Sequence, residues 1–285
     1  MTMSASRYSV ARQRAWAASR GIPFNDQGRV EHLDQNLFEP LGEEAAAEFM
    51  AGDGHELHGP GGGPGHMYSL RSSSAAAVNV FHYWKRTGRI STIARACRIQ
   101  SPRASSLRFE VRHPIDDILE AAGAIPPNLD VEIGYQGRGR LRATAFECKL
   151  TEPYSSGESY IKTPYLQEEM AHIWDGLPHL LELARRIRPI GGPFTYLNAA
   201  QLIKHILGLK RSYGKEGYRL VYLWNSVPGT EAVEHDAEIA GFKRYTDADD
   251  VQFSSLTYQE LIARMFSENR RGNEAYVDYL AGRYL

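Results

Sequence analysis

Apolar positions in the first hundred residues recur at helical spacing. Residues 4–20 predict a helix with Tyr8, Ala11, Ala15 and Trp16 on one side, stopped by Gly21-Ile22-Pro23. Residues 43–51 are rich in Ala and Glu and predict a second helix. Residues 52–65 end in Gly59-Pro60-Gly61-Gly62-Gly63-Pro64-Gly65 and predict a loop. No Gly-Lys-Ser/Thr follows, so this is not a phosphate loop. His55, His58 and His66 read as solvated loop histidines rather than a metal site. Ser72 to Lys85 predicts a serine-capped helix in which Ala76, Val80 and Trp84 share a stripe. Asn79 reads as a core asparagine tying a loop, or as a supporting partner of a site. Ile90 to Cys97 predicts a short helix.

The period then changes. Residues 106–112, Ser-Leu-Arg-Phe-Glu-Val-Arg, alternate as a strand does. Asn128 to Ile133 and Ala145 to Leu150 are short apolar runs joined by Gly134-Tyr135-Gln136-Gly137-Arg138-Gly139-Arg140, which predicts a β-hairpin. Helices follow over 178–188 and 196–209. Tyr218 to Val227 is a continuous apolar run, as in a buried central strand. A helix over 231–245, an edge strand over 251–256 and helices over 257–266 and 273–284 complete the chain. The order fits a mixed α/β sandwich. Residues 1–100 form a helical extension with its Gly/Pro-rich loop, and residues 101–285 form the core with its C-terminal helices.

The chain has 285 residues, 42% hydrophobic and 24% charged, with a formal net charge of −1. These values suit a folded globular protein. A neutral chain that binds nucleic acid needs a local basic surface. Cys97 and Cys148 are the only cysteines, too few for a disulfide framework, so a reducing cytoplasm is expected. No apolar run reaches membrane-spanning length. Residues 4–20 hold four arginines and no acid, the composition of a transit peptide, but an ordinary N-terminal helix is the preferred reading.

The hairpin carries the chemistry. Glu147 and Lys149 project from one strand face while Cys148 points away. Asp130 lies on the preceding strand, where pairing can set it beside Glu147. Two carboxylates and an ammonium at one sheet edge suit a Mg²⁺ site for phosphodiester cleavage. Asp130 and Glu147 would be the ligands. Lys149 would orient the attacking water and balance charge on the phosphate.

Asp130 and Glu147-Cys148-Lys149 resemble the PD-(D/E)xK nuclease superfamily, although Pro127 is three residues before Asp130 rather than adjacent. Ser72 to Phe81 is similar to an N-terminal block in a group of bacterial restriction-endonuclease-like proteins. The superfamily resemblance covers roughly 105–227, and the group resemblance extends over most of the chain. It implies a restriction-endonuclease-like mixed β-sheet core flanked by helices. It also implies a Mg²⁺ cofactor, replaceable by Mn²⁺, with the Cys148 carbonyl as a third oxygen ligand. The implied partner is double-stranded DNA, with a homodimer as the candidate assembly.

Other residues carry rival readings. Glu110 is either a further site acid or half of a surface pair with Arg108 or Arg112. Glu132 is either a ligand or a solvated neighbour of Asp130, the second being preferred. Gln201 and His205 face one way on their helix. Related nucleases place a glutamine there, but Gln-x-x-x-His departs from the Gln-x-x-x-Tyr of the exonuclease branch. Arg138, Arg140, Arg142 and Lys162 flank the hairpin, and Lys204, Lys210 and Arg211 lie nearby as phosphate contacts. The leading function is a Mg²⁺-dependent DNA endonuclease. Alternatives are a repair or recombination nuclease, a non-cleaving nucleic-acid-binding module, and a two-carboxylate sugar hydrolase, the last disfavoured by Lys149.

Overall fold

The computed structural model describes residues 3–52, 55–99, 103–137, 139–154, 160–188 and 192–285. Four helices come first: α1 (Ala5–Ser19), α2 (Glu43–Ala51), α3 (Ser73–Arg86) and α4 (Ile90–Ala96). Strand β1 (Ala104–Arg112) leads through a short helix, α5 (Asp117–Ala121), into the hairpin strands β2 (Asn128–Tyr135) and β3 (Ala143–Lys149). Then come α6 (Pro178–Arg186), α7 (Ala199–Tyr213), β4 (Tyr218–Trp224), α8 (Thr230–Ala248), β5 (Phe253–Thr257), α9 (Tyr258–Asn269) and α10 (Glu274–Tyr284).

The sheet has the order β1-β2-β3-β4-β5. β1, β2 and β3 run antiparallel, whereas β4 lies parallel to both β3 and β5. Parallel neighbours need long crossovers, which α6–α7 and α8 supply. β3 is therefore the strand where antiparallel pairing gives way to parallel pairing. Its C-terminal end, with Glu147 and Lys149, opens at that switch.

Each sheet face has its own apolar layer. Phe109, Val131, Phe146, Cys148 and Leu223 pack against α1 to α4, α9 and α10. Ala145, Leu220, Tyr222 and Phe253 pack against α6, α7 and α8. The helices begin where capping side chains place them. Ser72 accepts the Ala75 amide at 3.1 Å at the start of α3, and Asn198 accepts the Gln201 amide at 3.0 Å at the start of α7. Thr257 and Glu260 close a capping box at α9.

The expected inner face of α1 changes. The inner face of α1 is Ala5, Ser9, Gln13, Trp16 and Ala17, while Ala11 and Ala15 are exposed. Polar positions are buried because they have partners: Asn225 donates to Ser9 at 3.2 Å, and Gln13 donates to the Arg283 carbonyl at 3.3 Å. Arg283 itself is fully buried on α10. It donates to Gln13, to the Asn36 carbonyl and side chain and to Tyr279, with its guanidinium 4.2 Å from the Trp16 ring centre. Asn79 is the core asparagine: it accepts the Phe38 amide at 2.6 Å and donates to Asn36 and Tyr284, both at 3.1 Å. His55, His58 and His66 are exposed, as expected. Among the described residues no helix is long and apolar enough to cross a membrane.

Candidate active site

The last residues paired between β2 and β3 at this end are Val131 and Phe146. Asp130 and Glu147 are the first residues beyond them. Here the Asp130 carboxylate accepts the Cys148 amide at 2.6 Å, so a side chain stands in for the next ladder bond. The Lys149 carbonyl accepts the Asn225 amide at 2.9 Å on the β4 side. By strand alternation, the amide and carbonyl of Cys148 both turn towards Asp130.

Glu147 is 1% exposed. Its Oε1 pairs with Lys149 Nζ at 2.5 Å, and its Oε2 with His205 Nε2 at 2.8 Å. Burial opposes ionisation of Glu147, but the Lys149 ammonium and the His205 ring outweigh it and draw the carboxyl down to about 2. Lys149 loses by burial and gains more from Glu147 and Asp130, so it is held above its ordinary range. The pair is charged at neutral pH. Asp130 behaves oppositely: burial and the Glu147 charge raise it well above the usual carboxylate value, with Lys149 only partly offsetting them.

Glu110 approaches the same group. The pairs Phe109–Val131 and Val111–Leu129 bracket it opposite Asp130, yet its φ is +51°. A left-handed non-glycine residue costs on the order of 1–3 kcal/mol and breaks strand alternation. The turn of the backbone sends its carboxylate to Asn128, whose Nδ2 donates at 2.9 Å. Arg108 goes to Glu132 at 2.5 Å, and Arg112 donates to the same Asn128 at 3.2 Å. Burial and the nearby Glu56 and Glu147 charges push Glu110 up to about 7.

Glu56 is the acid that sequence reasoning missed. It follows the Gly-rich loop's start, sits half-buried, and its Oε2 is buried with no hydrogen-bond partner. Burial raises its pKa despite the Ser74 hydroxyl and His66. No local pattern marks it, since only the long-range docking of its loop brings it to Glu110.

The other candidates fall elsewhere. Glu132 is not a solvated neighbour: it is 1% exposed, bound by Arg108, by His113 at 2.7 Å and by the Tyr213 hydroxyl at 3.0 Å. Its partners hold it ionised below the ordinary value, against the cost of burial. Gln201 stays at the start of α7, its Oε1 taken by Asn198 Nδ2 at 3.3 Å, and His205 one turn on reaches Glu147 instead. Arg138 lies outside the described residues. Arg140 pairs with Glu216 at 2.8 Å, Arg211 with Asp117 at 2.7 Å, and Lys210 donates to the Ile173 carbonyl at 3.0 Å.

The donors gathered here are hard oxygens: Asp130, Glu147, Glu110, Glu56 and the Cys148 carbonyl. Clustered acids with raised pKa values and an orphaned buried oxygen at Glu56 suit a divalent cation better than a proton-only site. Among the described residues no three acidic, histidine or cysteine groups already converge on one point. Both Glu147 oxygens are engaged, Oε1 by Lys149 and Oε2 by His205, yet each keeps a lone pair with which it could face a cation.

The family model for the restriction endonuclease associating with ARP matches residues 4–285. No curated protein and no solved structure matches the chain. The matched span takes in the helices before the sheet, the hairpin with its acids and lysine, and the C-terminal helices. The chain therefore belongs to the family of restriction endonucleases associating with ARP, and is a restriction-endonuclease-like α/β protein.

Proposed function

We propose that this protein is a Mg²⁺-dependent endonuclease that hydrolyses phosphodiester bonds of double-stranded DNA. The observation that carries this reading is the meeting of Asp130, Glu147 and Lys149 where β2 and β3 part. Asp130, Glu147 and the Cys148 carbonyl hold the cation, and Mn²⁺ substitutes for it. When bound, such a cation acidifies water and clamps the phosphate. A cation there would supply the counter-charge that the buried Asp130 carboxylate lacks. Lys149 leaves Glu147 Oε1 and turns its ammonium to the charge building on the phosphate oxygens. His205 keeps Oε2 of Glu147 fixed, so the carboxylate pivots on one oxygen. Glu110, pushed up to about 7, is suited to take or give a proton at the site.

Lys149 is the sharpest test. A donor aimed at developing charge is worth roughly 10²–10³ in rate, whereas one phosphate contact among many adds little to binding. In single-turnover assays Lys149→Ala should bind DNA in Ca²⁺ nearly as the parent does and cut far more slowly in Mg²⁺. Lost binding with an unchanged rate at saturating enzyme would make Lys149 a docking residue instead. The doubly engaged Glu147 also favours a second reading, a non-cleaving DNA-binding module in which Lys149 and His205 lock that carboxylate. In that case the parent binds DNA and leaves it intact with Mg²⁺.

A further inference from the structure

A separate cleft lies between α5, the residues 160–165 and the start of α7. Its volume is about 340 Å³, and Lys162 and Lys204 both line it. Ligand cavities run from roughly 300 to 1,000 Å³. A cleft at the small end of that range suits one compact molecule.

Lys162 and Lys204 have no acidic partner among the described residues. The two ammonium groups repel: burial lowers the pKa of Lys204, and the Lys162 charge lowers it further. Lys85, by contrast, is paired with Glu44 and Glu48. Two cations left facing one cavity form an arrangement that an anion between them relaxes. Leu119, Ile125, Pro164, Tyr160 and Tyr165 add apolar and aromatic residues to the same lining. Ile125 is 63% exposed and Tyr160 44% exposed, so the lining is open to a ligand at its rim. The cleft thus offers a cationic head and an aromatic, apolar body in one small volume. None of its lining residues belongs to the carboxylate cluster.

We propose that this cleft binds a nucleoside monophosphate unit, with the phosphate between Lys162 and Lys204 and the base against Tyr160 and Ile125. The unit is either a free nucleotide or the phosphorylated end of a DNA strand. The site does not depend on the nuclease reading, because binding there needs no metal.

Calorimetry on the full chain in EDTA tests it, with adenosine 5′-monophosphate, adenosine and inorganic phosphate as probes. The monophosphate should bind more tightly than either fragment. Replacing Lys162 and Lys204 with Gln together should weaken it by roughly tenfold or more, as expected for lost charge-assisted bonds. Replacing both with Arg should preserve binding, and the thermal midpoint of each variant reports its folding. A 5′-phosphorylated oligonucleotide tighter than the free monophosphate, and tighter than its unphosphorylated form, identifies a strand end as the source. Equal or weaker binding of that oligonucleotide identifies the free nucleotide. No binding by the parent, adenosine binding as well as the monophosphate, phosphate binding as well as the monophosphate, or an unaffected Gln variant each overturns the proposal.

Discussion

Glu110→Gln should stabilise this protein, and the gain should depend on pH. The carboxyl of Glu110 titrates near 7 in the fold, against 4.5 for an ordinary glutamate, because it is buried beside Glu56 and Glu147. A pKa raised on folding means that the neutral form is favoured. Its stabilising contribution is intact below about pH 4.5 and is lost as pH rises through about 7. The full difference corresponds to about 3 kcal/mol at higher pH. Neighbouring acids that take up protons in its place reduce this to roughly 1–3 kcal/mol. Glutamine keeps the shape and still accepts the Asn128 amide, but never carries the charge. Parent and variant should melt together near pH 4.5. By pH 8 the variant should melt several degrees higher, at roughly 2–4 °C per kcal/mol for a chain of this size. Thermal melts followed by circular dichroism across pH 4.5–8 measure this. A difference that stays constant with pH would refute the electrostatic account of Glu110.

Other outcomes follow from the same structure. Arg283→Leu should cost about 3 kcal/mol or more in urea unfolding, because Gln13, Asn36 and Tyr279 lose a buried donor together; an unchanged midpoint would contradict that role. His235 is fully buried, its Nδ1 has no partner, and burial lowers its pKa to about 4. Its neutral ring contributes stability present above pH 6.5 and lost as pH falls towards 4, up to about 3 kcal/mol, so His235→Phe should flatten the acid limb of the stability profile. DNA affinity should fall steeply as salt rises, since a chain of net charge −1 must bind through local phosphate contacts; a salt-insensitive affinity would contradict it.

The hairpin was legible because strand alternation and the Gly/Arg-rich link are local signals. Asp130, Glu147 and Lys149 came with it, since a strand carries residues two apart on one face. Glu110 was legible as an acid but not as a left-handed residue: nothing in Phe109-Glu110-Val111 announces a break in alternation. The choice between Gln201 and His205 depends on where along α7 the helix crosses β3, and helical spacing alone puts both on one face. Glu56 was illegible, being a lone acid in a loop whose position is fixed only by tertiary docking. Glu132 misled because a charged residue reads as surface until its partners, distant in sequence, fold around it.

Cleavage of supercoiled plasmid by the purified chain tests the central claim most directly. The parent should nick or linearise plasmid with Mg²⁺ and leave it intact in EDTA. Asp130→Ala, folded by circular dichroism, should leave it intact in both. An inert parent with either Mg²⁺ or Mn²⁺, cutting in EDTA, or an Asp130→Ala variant as active as the parent would contradict the account.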